Sequence, residues 1–120
     1  MRKTLMITTA LMSLLLSAQV SAAGAIAIDG YEGDSIHEIG YGIGFAKDRD
    51  SAAKESMRKC RNSGNDNCVV KVRFDGCGAY AVSKRFYGVG TGRTLAQAER
   101  AALDQCGNKS CRVAVSECDN

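Results

Sequence analysis

From Ala23 onward the apolar positions fall into short alternating runs and two helical ones, and the order of these runs is written twice. In Ala25 to Ile28, and again in Ala79 to Val82, small and large side chains alternate with the period of two that marks a half-buried strand. Ile39, Tyr41, Ile43 and Phe45 alternate with Glu38, Gly40, Gly42 and Gly44, which predicts a second strand; Tyr87 and Val89 against Gly88 and Gly90 repeat it. The period then lengthens. Ala52, Ser56 and Cys60 recur at helical spacing, as do Ala98, Ala102 and Cys106. Asp48 and Thr94 stand where N-caps belong, and Gln97 gives Thr94 a capping box. The helices are predicted to end at Cys60 and Cys106, with Gly107 as a C-terminal cap. A third strand follows, Val69 to Phe74 and Arg112 to Val115. Each unit therefore reads β-β-α-β, and the fold class is α+β: two pseudo-repeated units, 24–77 and 78–120, sharing one core and stapled by disulfides.

The small residues suit that reading. Ala25, Ala27, Gly42 and Gly44, and in the second unit Ala79, Ala81, Gly88 and Gly90, offer small strand faces to the small helix faces. A helix is then able to lie close to its sheet, with Met57 and Leu103 filling the flank. A phosphate loop is the rival use of such glycines. It needs them in a turn between strand and helix, whereas here they alternate along a strand, and no Gly-Lys-Ser/Thr is present.

The first residues change the account of charge and compartment. Arg2 and Lys3, the apolar run from Leu5 to Ala18, and the small residues around Ser21 to Ala23 have the form of a signal peptide, assigned to 1–23. Thr8, Thr9 and Ser13 dilute the run, which falls short of the ~20 apolar residues of a spanning helix. The 16 basic side chains less those two, against 13 acidic, leave the remainder at +1. That near-neutral balance argues against nucleic acid as a partner.

Six cysteines in a small exported chain read as three disulfides. The close Cys-x-x-Cys pairs of zinc sites are missing and there is one histidine, so no metal is expected. Six cysteines allow many pairings, but three types occur twice: helix end, strand start and strand exit. Cys68 shares parity with Val70 and Val72, and Cys111 with Val113 and Val115, so both are expected to face their helix. Symmetry then favours Cys60–Cys68 and Cys106–Cys111, leaving Cys77–Cys118 to tie the units together.

With "GAIAI" (Gly24 to Ile28) matching "GAYAV" (Gly78 to Val82), helices spaced Ala52–Cys60 and Ala98–Cys106, and cysteine-led third strands, the chain resembles the family catalogued as domain of unknown function 4189, in two tandem copies of the motif. Members are mostly small exported bacterial proteins. The resemblance implies scaffold and compartment and transfers no catalytic residues.

Chemistry is sparse. A Cys–His nucleophile at His37 needs a free cysteine, and a Ser35/His37 pair has no elbow or third partner. Asp29, Glu32 and Asp34 lack EF-hand spacing and read as turn residues. Two features remain as binding candidates. Lys54, Arg58, Lys59 and Arg61 cluster on and after the first helix, with Lys71 and Arg73 expected to point off the third strand away from Val70, Val72 and Phe74. Tyr31, Phe86 and Tyr87 lie near loops or strand ends, where exposed tyrosines make good contacts. The expectation is a periplasmic or secreted protein-recognition module, not an enzyme, needing no cofactor and no membrane span after cleavage; a secreted effector or enzyme and a structural envelope protein are the alternatives. Its expected contact residues are Arg58, Arg61, Lys71, Arg73, Tyr31 and Tyr87.

Overall fold

A computed structural model describes residues 23–30 and 39–119. β1 (Ala23–Asp29) lies between β2 (Gly40–Ala46) and β3 (Val69–Phe74), antiparallel to both; β4 (Cys77–Val82) lies likewise between β5 (Tyr87–Gly92) and β6 (Arg112–Cys118). α1 (Arg49–Asn62) links β2 to β3 and α2 (Leu95–Cys106) links β5 to β6, so each unit is a split β-α-β with its first strand in the middle.

The expected caps form. Asp48 accepts from the Ser51 N–H at 2.8 Å and Thr94 from the Gln97 N–H at 3.1 Å, while the Gln97 side chain reaches back to the Arg93 N–H. Gly107, in the left-handed region at φ 72°, closes α2 on Leu103 O. α1 runs two residues past Cys60, because the residue after Cys60 is Arg61 rather than a glycine and Ser63 serves as the cap instead.

Helix meets sheet almost backbone to backbone. A Cβ on Gly44 would stand 2.4 Å from Ala52 O and Ser56 N, and one on Gly90 the same distance from Ala98 O and Ala102 N. Ser56, fully buried there, stays satisfied by donating to Ala53 O at 2.7 Å. Met57 packs on Ala27, Cys60, Cys68 and Val70 as expected, but Leu103 is exposed and fills no flank.

The opposite faces of the two sheets pack on each other through Ile26, Ile28, Val72, Phe74, Tyr80 and Val115. The layers run helix, sheet, sheet, helix, and each sheet's second apolar face is buried by its repeat. Phe74, 1% exposed, is the keystone: methyls on Gly24 and Gly78 would each collide with its ring.

Two expectations change. Strand parity breaks at a β-bulge in β3, where Ile26 pairs with Val72 but the next residue, Ala27, pairs with Val70. The extra residue is Lys71, which leaves Val70 with Cys68 against α1 and turns Val72 and Phe74 to the other sheet. Lys71 and Arg73 consequently do not share a face: Lys71 borders the space between sheets, and Arg73 reaches Asp50 on α1 at 3.0 Å. β6 carries the same shift, with Ala114 as the extra residue. The disulfides are Cys60–Cys68, Cys77–Cys118 and Cys106–Cys111, the pairing expected. Cys77, however, begins β4 and faces Cys118 across the same sheet, so this bridge fastens the second unit internally and the units are held together by packing. In the register of the sheets its counterpart in the first unit is Ala23.

Candidate functional site

The β3 bulge and the β4–β5 turn build one cleft. The turn is closed by Ser83, whose N–H donates to Phe86 O at 2.8 Å and whose hydroxyl accepts from the Phe86 N–H at 3.2 Å. This lifts Lys84 and Arg85 to the tip and leaves Phe86 (49%) and Tyr87 (52%) exposed. Behind them Tyr80 is 5% exposed, its ring centroid 5.8 Å from that of Tyr87. The bulge sends the Lys71 ammonium over the Tyr87 ring, 4.4 Å from its centroid. Such a contact contributes about 0.5–1 kcal/mol at an exposed site. The cleft holds about 240 Å³ and is lined by Lys71, Tyr80, Arg85, Phe86 and Tyr87, among others. Burial, and then the neighbouring Tyr87, push the Tyr80 phenol up. Neither Lys71 nor Arg85 has a carboxylate partner among the described residues.

The repeat shows what is special here. In register, Tyr80 matches Ile26, Tyr87 matches Tyr41 and the bulged Lys71 matches Ala114. At the other end of the pseudo-symmetry the same backbone keeps a tyrosine, Tyr41, but carries Ile26 and Ala114 in place of Tyr80 and Lys71.

The remaining contact candidates separate. Arg61 and Arg73 border a second groove between α1 and β3, of about 450 Å³, floored by Ala53, Met57 and Val70. Arg58 is paired with Glu55 on the outer face of α1, which raises the guanidinium and holds the carboxyl below its ordinary range. Arg49 pairs with Asp75 at 2.7 Å. Of the expected set, the structure brings together Lys71 and Tyr87 on one side and Arg61 and Arg73 on another. Tyr31, Glu32, Asp34, Ser35 and His37 lie outside the described residues. Asp29 accepts from the Asn67 N–H at 3.2 Å, a loop-fixing role.

A family model matches residues 23–118, from the first residue of β1 to the last of β6. The chain belongs to the family described as Domain of unknown function (DUF4189). No curated protein and no solved structure matches it. In this DUF4189 chain all six cysteines are bonded, no three of His, Cys, Asp and Glu among the described residues are placed to hold a metal ion, and no described helix is long and apolar enough to cross a membrane. Sequence reasoning missed Tyr80 and Arg85. The signal that would have found Tyr80 is the departure from repeat identity: it stands where its partner unit has isoleucine, next to a lysine where the other has alanine.

Proposed function

We propose that the chain is a non-enzymatic protein-recognition module, inhibitor- or immunity-like, built from two tandem copies of one motif and exported to the periplasm or medium. The observation that carries this is the cleft of Lys71, Tyr80 and Tyr87: a rigid aromatic platform with a cation at its edge that has no ion-pair partner among the described residues. Tyrosines exposed on strands cost little ordering entropy on binding, and three disulfides hold their support fixed. An apolar segment behind Arg2 and Lys3 fits export, and three disulfides suit an oxidising compartment. Cleavage after Ala23 would remove only the first residue of β1.

Affinity capture from envelope and culture-fluid extracts tests the reading, with the oxidised domain immobilised and a reduced, alkylated sample as control. One stoichiometric protein, lost on reduction and lost from Tyr87→Ala, is the expected result. Equal recovery on all three samples, or none on any, contradicts it.

A further inference from the structure

The two units differ at one sheet edge as well. In β5, Val89 pairs with Tyr80, and its N–H points away from β4 to donate to the Gln105 side-chain oxygen at 2.6 Å. Alternate N–H groups of an edge strand face outward and are templates for another strand unless something covers them. Gln105 covers this one. Ile43 holds the equivalent place in β2, paired with Ile26. The residue equivalent to Gln105, just before the last helix cysteine, is Lys59. An ammonium has donors and no acceptor, so Lys59 cannot close the Ile43 N–H.

Among the described residues, the space beside that edge is a groove open to solvent. The groove, of about 480 Å³, runs along β2, lined by Gly40, Tyr41, Gly42, Ile43, Lys59 and Asn65. Tyr41 and Phe45 are 47% and 37% exposed.

We propose that β2 is a strand-addition edge that takes an extended, acidic peptide segment of another protein, backbone to backbone, with Lys59 and Lys47 meeting its carboxylates. Both lysines are exposed and make no salt bridge among the described residues, although the Lys59 charge also acts on Glu55 one turn back along α1. They also decide against a second copy as the occupant, because β2–β2 pairing about Ile43 would bring the two Lys59 ammoniums to one seam. This rests on the recognition reading above but uses a different surface.

The probe is a display library of random linear peptides, panned on the oxidised wild-type chain. Enriched peptides are expected to be acidic and unstructured when free. A synthetic copy should slow hydrogen exchange at the Ile43 amide and bind more weakly in salt. Lys59→Gln, which supplies the missing cap, should weaken binding by about tenfold or more; Lys59→Ala, which removes only the charge, should weaken it by roughly threefold. Gln105→Lys should open β5 and bring Val89 under peptide protection. Tyr87→Ala should leave this binding unchanged. No enrichment, or binding indifferent to Lys59→Gln, overturns the proposal. So does a peptide lost with Tyr87→Ala but kept with Lys59→Gln, which puts recognition at the cleft alone. Protection of Ile43 in a concentration-dependent dimer without peptide overturns it in favour of a second copy.

Discussion

Gly90→Ala drives a methyl group into the backbone of α2. The new Cβ would sit 2.4 Å from both Ala98 O and Ala102 N and 2.7 Å from the Ala101 Cβ, whereas ordinary contact begins near 3.4 Å. The helix must retreat by about 1 Å, since its backbone, unlike a flexible side-chain tip, has no rotamer to adopt. Overpacking of this kind costs about 1–3 kcal/mol. Against that, removing a glycine from the unfolded chain returns about 0.4–1 kcal/mol. The net expectation is a destabilisation of about 1.3 kcal/mol, or a midpoint lowered by roughly 5–10 °C in a domain of this size. Thermal and urea unfolding of the oxidised protein measure it. Gly44→Ala should cost the same within error, because its Cβ meets Ala52 O and Ser56 N at the same 2.4 Å. Thr91→Ala, exposed one residue along β5, should stay within about 0.5 kcal/mol. A Gly90→Ala protein as stable as the parent would refute the close seating of helix on strand.

Three further outcomes follow from the same contacts. Replacing Cys77 and Cys118 by serine opens a link of sequence separation 41 and should cost about 4 kcal/mol on the chain-entropy model, against about 2 kcal/mol for the Cys106–Cys111 pair, whose separation is 5; denaturant titration ranks them. Phe74→Ala should cost about 3–5 kcal/mol and expose both inner sheet faces, detectable by dye binding, since one ring fills the space above two glycines. Asp48 is held below its ordinary 3.8 by the Ser51 backbone N–H and hydroxyl, and Glu55 below its ordinary 4.5 by Arg58. Depressed carboxyls stabilise the fold fully above those ordinary values and lose that contribution as pH falls through the folded ones. The midpoint should therefore drop on acidification below about pH 4.5, and Asp48→Asn, which keeps a capping oxygen, should flatten part of the slope.

The doubled β-β-α-β order and the small-on-small packing were legible because period and residue size are written directly into the chain. Cys60–Cys68 and Cys106–Cys111 were legible for a related reason: a helix end and the next strand's start are forced neighbours. The role of Cys77 was not, because a cysteine at the exit of one strand and one at the entry of the next look alike when Asp75 and Gly76 are all that separate the strands. The bulge at Lys71 was hidden too. It adds no turn residue and leaves Val70, Lys71, Val72, Arg73 and Phe74 in regular alternation, yet it moves Lys71 from the expected basic face to the aromatic cleft. Tyr80 read only as the large member of a strand pair; its value as a site residue depends on which sheet it faces, which the packing of the two units decides. Lys59 looked like one more member of a cationic cluster until Gln105 showed what its place does in the other unit.

The central claim is that recognition resides in the cleft where Lys71 and Tyr80 depart from the symmetry of the repeat, beside the exposed Tyr87. The measurement that tests it most directly is a binding isotherm of the captured partner against wild type, Lys71→Ala, Tyr87→Ala and Leu103→Ala, the last an exposed apolar residue on the outer layer at α2. The account predicts a loss of about 2 kcal/mol, roughly thirtyfold in affinity, for Tyr87→Ala, a smaller loss for Lys71→Ala, and no change for Leu103→Ala. Equal affinities for Tyr87→Ala and wild type, or a loss confined to Leu103→Ala, would contradict it.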